Sequence, residues 1–94
     1  DEKGAEVKGR GDDVNHHDML TGSDSTGRLI PGDAAFTTCS NWTSNKEGRT
    51  LVGHHDRPGG ANASWNAVHS TRGCSQEDLI STGGVGLFYC FAVN

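Results

Sequence analysis

The chain has 94 residues, with eight Lys or Arg against twelve Asp or Glu, so its formal net charge is −4. A chain of this length forms one small domain whose core is marginal without a disulfide or a metal ion. It contains no apolar run near the ~18 residues of a membrane span. Its 14 glycines argue against a helical bundle, and its scattered basic residues argue against a nucleic-acid binder.

The first half of the chain predicts an arm, loops and two short strands. Residues 1–18 are charged and nearly free of large apolar side chains, which predicts an extended N-terminal arm. Residues 19–38 contain turn signals around Asp24 and Asp33. Short strands are predicted over Cys39–Thr43 and Thr50–Gly53, joined by a turn.

The second half predicts one helix and the clearest strand. Residues 54–64 are a predicted loop, followed by a short strand near Ser64–His69. Gln76–Ser81 is predicted to be a helix, with Ser75 as its N-cap and two acidic residues in its first turn. Gly86–Val93 is the most apolar segment and is predicted to be the most buried strand. The pattern predicts an α+β domain, rich in loops, with short antiparallel strands and little helix.

Three cysteines, Cys39, Cys74 and Cys90, predict one disulfide and one cysteine that pairs elsewhere. A Cys39–Cys74 bridge would contribute about 3–4 kcal/mol by the loop-entropy model. Disulfides persist in oxidising compartments, so we expect a secreted or periplasmic protein. The alternative is three reduced thiols in a cytosolic chain.

Several motifs follow one another along the chain: GSDSTGR, then Cys39 with Trp42, then Trp65-Asn66 ahead of Cys74, and then LFYCF. Their order resembles the C-terminal half of C-type-lectin-like domains, especially the endostatin branch. Secreted bacterial proteins known as lectins share the longer run C-x-NWT…VGHHDR…SWN…RGCSQ…GLFYCFA. The resemblance covers residues 15–94 and implies a C-type-lectin-like fold, with residues 19–94 forming the C-terminal part of a single domain.

The resemblance also implies how the cysteines pair. Cys39 and Cys74 would be the inner disulfide of the family. Cys90 would form the outer disulfide with a cysteine outside this chain. Its partner would be an N-terminal piece of the same precursor or a second copy of the chain.

The resemblance implies a secreted, non-catalytic module that binds carbohydrate, as long loops on a stapled sheet often do. The chain contains neither a GxSxG nor a GxGxxG motif, which are two patterns that would indicate an enzyme. The alternative is a structural or protein-interaction module with the same fold, in which a metal ion adds stability. The expected ligand-binding residues are polar or aromatic loop residues: Asp24, Arg28, Asp33, His54, His55, Asp56, Arg57, Trp65 and Asn66.

Two metal ions are candidate cofactors. The family's calcium site depends on a Glu-Pro-Asn or Gln-Pro-Asp tripeptide and on Trp-Asn-Asp, but this chain lacks the tripeptide and has Ala67 after Asn66. Zn²⁺ is suggested by imidazole and carboxylate groups in two triplets, which could form a site if the fold brought them together. The other interpretation is that these residues anchor turns. The candidate ligands are His16, His17 and Asp18 in one triplet and His54, His55 and Asp56 in the other.

Overall fold

A four-stranded sheet organises the described residues, 1–57, 59–61 and 63–93 of the computed structural model. The strands are β1 (Asp18–Leu20), β2 (Leu51–His54), β3 (His69–Ser70) and β4 (Gly84–Phe88). Their order across the sheet is β3-β2-β1-β4. The β1–β2 and β2–β3 pairs are antiparallel, which is the strand direction expected of the fold class, but β4 pairs with β1 in parallel. The result is a mixed α/β domain whose central strands are β2 and β1.

The described part of the chain also forms three short helices: α1 (Ala34–Thr37), α2 (Cys39–Trp42) and α3 (Gln76–Thr82). Of these, α3 packs against β4 and α1 packs against α2. The predicted helix 76–81 is confirmed by α3. Its predicted N-cap is confirmed as well, because Ser75 Oγ accepts a hydrogen bond from the Asp78 backbone N–H. None of the described helices has the length and apolar character needed to cross a membrane.

The predicted strand 39–43 is wrong, because α2 is a single left-handed turn. Its four residues have φ between 49° and 65°, although none is glycine. Such a backbone costs L-residues about 1–2 kcal/mol each, so tertiary contacts must hold it. Thr38 Oγ1 accepts a hydrogen bond from the Asn41 backbone N–H, and Cys39 is tied to Cys74 by a disulfide. Local propensity does not reveal a turn that depends on contacts distant in sequence.

The strand predictions are confirmed only in part. β2 matches the predicted strand 50–53 within one residue, and β3 overlaps the predicted strand 64–69 only at His69. β1 was not predicted, and it includes Asp18, which the sequence assigns to the N-terminal arm. Residues 58 and 62 of the predicted loop 54–64 lie outside the described residues, as does residue 94.

The segment 86–93 is not the most buried strand. β4 ends at Phe88, and beyond it Tyr89 is half-buried, whereas Phe91 is 72% and Val93 95% exposed. The Cys90 side chain is also exposed and forms no disulfide within the described residues, so its disulfide with a second polypeptide stays a prediction. The run is apolar, but the described part of the chain does not cover it. The buried strands are instead β1 and β2, whose short apolar sequences gave a weaker signal.

The apolar core is very small, and a disulfide supports it. Leu20, Val52 and Leu79 form the cluster of buried apolar side chains. The Cys39–Cys74 disulfide, formed across a sequence separation of 35 residues, joins α2 to the residues before α3. A core of this size supplies little hydrophobic stabilisation, so other interactions must contribute to the free energy of unfolding.

Gly53 in β2 allows the backbone of a neighbouring loop to lie against the sheet. A Cβ atom at this position would lie 1.7 Å from the carbonyl oxygen of Trp65. The loop that carries Trp65 could not keep its place beside β2 if any side chain were present.

We therefore expect Gly53→Ala to lower the free energy of unfolding by at least about 2 kcal/mol, because the overlap is with backbone and cannot be relieved by a side-chain rotation. Urea unfolding followed by circular dichroism measures the change. Gly59→Ala is the control, since a Cβ atom there meets nothing within 4 Å. Equal stability of the two variants would contradict the observed packing of this loop.

Candidate metal centre

The register of the sheet brings an aspartate and two histidines to one face. Asp18 of β1 lies directly opposite His54 of β2. His69 of β3 lies opposite Val52, which is two residues before His54 in the same strand. Because alternate residues of a strand point to the same side of the sheet, Asp18, His54 and His69 share one face. His17, immediately before β1, completes the group at its edge.

The nitrogen atoms of these histidines surround one carboxylate oxygen. Asp18 Oδ1 lies 2.9 Å from His54 Nε2 and 3.3 Å from His17 Nε2. His69 Nε2 lies 3.6 Å from the same oxygen and 3.1 Å from His54 Nε2. His17, Asp18 and His54 each offer one ligand atom, and these atoms lie within 4.8 Å of one another. This buried group could bind a metal ion.

Burial controls the electrostatics of the group. Asp18 is only 2% exposed, and its Oδ2 is buried without a hydrogen-bond partner among the described residues. Burial raises the pKa of the Asp18 carboxyl, against the opposing effect of His69, His17 and His54. Burial also lowers the pKa of His17, with a further contribution from His54. The neutral imidazole that these conditions favour at His17 is the form that binds metals.

The outer nitrogens of two of the rings face oxygen atoms. His17 Nδ1 lies 3.3 Å from Asp56 Oδ1, and His69 Nδ1 lies 3.1 Å from the carbonyl oxygen of Ser70. Asp56 is itself fixed by the backbone N–H of Arg10, which donates to its Oδ2 at 2.6 Å. Metal-binding histidines typically donate the other ring N–H to a carboxylate or a backbone carbonyl in this way.

The electrostatics of Asp56 agree with this arrangement. Burial by itself would raise the pKa of Asp56, but the hydrogen bond from Arg10 and the nearby His17 and His55 bring it below its ordinary value. A low pKa means that Asp56 is ionised at neutral pH. The ionised carboxylate lies 3.3 Å from His17 Nδ1, while Nε2 of the same ring lies 3.3 Å from Asp18 Oδ1.

Two glycines allow the start of β4 to approach the group closely. The carbonyl oxygen of Gly83 accepts a hydrogen bond from the Asp18 backbone N–H at 3.1 Å. A Cβ atom on Gly83 would lie 3.2 Å from His17 Nε2, and one on Gly84 would lie 2.9 Å from the Asp18 Cβ. The absence of side chains at these two positions lets the backbone cover the buried end of the cluster.

The candidate zinc ligands separate into two groups. His17 and Asp18 of the first triplet meet His54 of the second, while Asp56 contacts His17 from outside. His55 turns away, with its Nε2 3.2 Å from the carbonyl oxygen of Lys8. His16 is not among the clustered ligands.

His69 was missed as a candidate because it stands alone in the sequence. No second histidine or carboxylate adjoins it in the segment AVHST. His69 could have been found only from the pairing register of β2 with β3, and the sequence did not predict that register.

Several of the predicted carbohydrate-binding residues form hydrogen bonds within the protein that hold its turns and helices. Asp24 Oδ1 closes its own turn by accepting from Thr26 and from the Arg28 backbone N–H, and Asp33 caps α1. Asn66 is buried and donates its Nδ2–H to the carbonyl oxygen of Asp24. Arg57 makes a long contact of 3.5 Å from Nη2 to the Ala61 carbonyl oxygen.

Trp65 differs from these residues because its ring is 53% exposed. It makes edge-to-face contacts with Tyr89 and Phe91, at centroid distances of 5.5 Å and 6.1 Å. An aromatic surface of this kind remains available to a ligand.

Comparisons with known proteins do not place the chain in a family. No family model, no curated protein and no solved structure matches it.

Proposed function

We propose that this domain is a metal-stabilised structural module that binds one zinc-class ion through His17, Asp18 and His54. The observation that carries the proposal is the convergence of three ligand atoms from three buried side chains within 4.8 Å. The ion would join the segment before β1 to the central strands β1 and β2. This corresponds to the structural or interaction module that the sequence offered as its second hypothesis.

The donor set favours Zn²⁺ over Ca²⁺. Calcium takes six to eight oxygen ligands, but this cluster offers two imidazole nitrogens and the carboxylate of Asp18. Imidazole with carboxylate suits Zn²⁺ and related transition ions. The calcium site of the C-type lectins therefore has no support in this cluster.

The buried carboxylate of Asp18 favours a bound cation. Removing an ionised Asp18 from water is costly unless a positive charge lies beside it. A divalent ion would neutralise the carboxylate and use the nitrogen lone pairs that face it. In a domain whose apolar cluster is Leu20, Val52 and Leu79, this contribution is a large part of total stability.

We expect the purified chain to bind about one equivalent of Zn²⁺ after chelator treatment and to become more stable. At a free zinc concentration 100 times the Kd, the free energy of unfolding rises by about 2.7 kcal/mol. Metal analysis gives the stoichiometry, and thermal unfolding with and without zinc gives the stabilisation. His54→Ala should abolish both effects, while His16→Ala, the matched control, should keep them.

Asp18→Asn separates a metal ligand from a purely structural residue. The amide removes the buried charge and can donate a hydrogen bond to a histidine nitrogen. Without metal, the variant should therefore be more stable than the wild type, with a free energy of unfolding about 1–3 kcal/mol higher. Zinc should then add no stability. A wild-type chain that binds no zinc, or a His16→Ala variant as defective as His54→Ala, would refute the proposal.

We also expect Asp56→Ala to weaken zinc binding by about 10–100-fold, because Asp56 orients the His17 ring. Competition with a chromophoric chelator measures the affinity. Glu77→Ala removes an exposed carboxylate in α3 and serves as the control. Unchanged affinity in Asp56→Ala would show that the contact with His17 does not matter for binding.

Carbohydrate binding is the second candidate function, and the exposed Trp65 ring favours it. Beside Trp65 lies an open cleft of about 220 Å³, which Tyr89, Phe91 and Ser23 also line. Sugars bind to proteins by stacking C–H groups on an aromatic face and by hydrogen bonds from their hydroxyls. A non-catalytic, C-type-lectin-like module is the form that this proposal takes.

If this cleft binds sugar, Trp65→Ala should reduce glycan binding by more than about tenfold, because one aromatic face contributes at least about 1.4 kcal/mol to such sites. A glycan array followed by calorimetry on the best sugar measures the effect. Phe36→Ala, which removes another exposed aromatic ring, is the control. Absence of binding to any glycan would reject this candidate while leaving the metal proposal intact.

The proposed location is extracellular or periplasmic. The Cys39–Cys74 disulfide supports it, because such bonds are reduced in most cytosols. The exposed thiol of Cys90 supports the proposal that a second polypeptide, either another piece of the precursor or a second copy, attaches through a disulfide.

A further inference from the structure

His69, in the edge strand β3, lies beside the cluster of His17, Asp18 and His54. Its Nε2 atom lies 3.1 Å from His54 Nε2 and 3.6 Å from Asp18 Oδ1. Its side chain is 35% exposed, whereas the side chains of Asp18 and His54 are almost fully buried. His69 therefore lies between the buried cluster and solvent, at the position where a fourth ligand or a water molecule would stand.

The outer nitrogen of His69 lies beside a hydrogen-bond acceptor. His69 Nδ1 is 3.1 Å from the carbonyl oxygen of Ser70, which can only accept a hydrogen bond. When His69 Nδ1 carries the proton of this bond, the lone pair of Nε2 is directed at the cluster.

The buried carboxylate at the centre of the cluster lacks hydrogen-bond partners. Both carboxylate oxygens of Asp18 are buried without one among the described residues. A buried carboxylate in this position is costly unless a cation lies beside it.

Four of the six separations between the four ligand atoms lie near the value for zinc. Zinc bonds of about 2.0–2.1 Å in tetrahedral geometry separate neighbouring ligand atoms by about 3.3–3.4 Å. The four separations are 2.9, 3.1, 3.3 and 3.6 Å. The group whose ligand atoms lie within 4.8 Å of one another contains His17 but not His69, so these two rings would have to move closer together around the ion. The His17 and His54 rings are stacked at a centroid distance of 3.9 Å, so they would have to open slightly around the ion.

We infer that His69 is the fourth protein ligand and that His17, Asp18, His54 and His69 enclose the zinc ion completely. The inference rests on the proposed metal function and deepens it. Structural zinc sites have four protein ligands, whereas catalytic sites keep one position for water or substrate. A site closed by His69 holds β3 to β1 and β2 and offers no position for hydrolytic chemistry.

Cobalt substitution tests the coordination directly, because Co²⁺ replaces Zn²⁺ and its visible spectrum depends on the number of ligands. We expect the Co²⁺-loaded wild type to show the intense visible band of a tetrahedral ion, unchanged by added azide. In His69→Ala the band should weaken and shift, and azide should change it further by entering the open position. Zinc affinity should fall by at least about 100-fold, more than for loss of an orienting residue.

The controls distinguish the possible failures. His16→Ala, which removes a neighbouring histidine outside the cluster, should behave like the wild type. His69→Gln keeps a polar side chain on β3, so it should show the same loss if His69→Ala proves poorly folded by circular dichroism. If the wild type binds no metal, the proposed function fails. If the wild type binds zinc while both His69 variants keep its affinity and cobalt spectrum, only the inference about His69 is overturned.

Discussion

The buried carboxylate of Asp18 is the constraint on which the rest of the structure depends. It lies in a central strand, 2% exposed, where an ionised group is stable only beside compensating charge or hydrogen bonds. The fold surrounds it with imidazole nitrogens from the residue before β1, from β2 and from β3. Gly83 and Gly84 then bring the β4 backbone against it. Every strand of the sheet therefore contributes to the surroundings of this one side chain.

This arrangement explains how a domain with so small an apolar core can hold one structure. Leu20, Val52 and Leu79 bury too little surface to support the fold alone. The Cys39–Cys74 disulfide stabilises the side that carries α2 and the start of α3, including a left-handed turn that local propensity disfavours. The proposed ion would stabilise the sheet by joining β1 and β2. The disulfide and the proposed ion each join segments that are far apart in sequence. Cross-links of this kind reduce the conformational entropy of the unfolded chain most.

The two proposed functions use different parts of the molecule. The cluster of His17, Asp18 and His54 is buried, so an ion bound there would act on stability. The cleft beside Trp65 is open and aromatic, so it is the surface that can meet a ligand. Asn66 was expected to bind a ligand, but its side-chain amide instead donates a hydrogen bond to the carbonyl oxygen of Asp24 and holds that turn. A stable metal-bound sheet and a ligand-binding aromatic cleft are compatible within one domain.

The sequence alone determined the features that depend on neighbouring residues: the capped helix α3, the strand at β2, and the two histidine-aspartate triplets as sources of metal ligands. It also limited the cysteine pairs, among which the resemblance indicated Cys39–Cys74. Only the tertiary structure decided which side chains of the triplets meet, because a shift of one residue in strand register turns every side chain to the other face. For the same reason His69, isolated in its segment, joined the cluster only through the pairing of β3 with β2. The exposure of Phe91 and Cys90 was also a tertiary outcome, since an apolar run is buried only where another surface covers it.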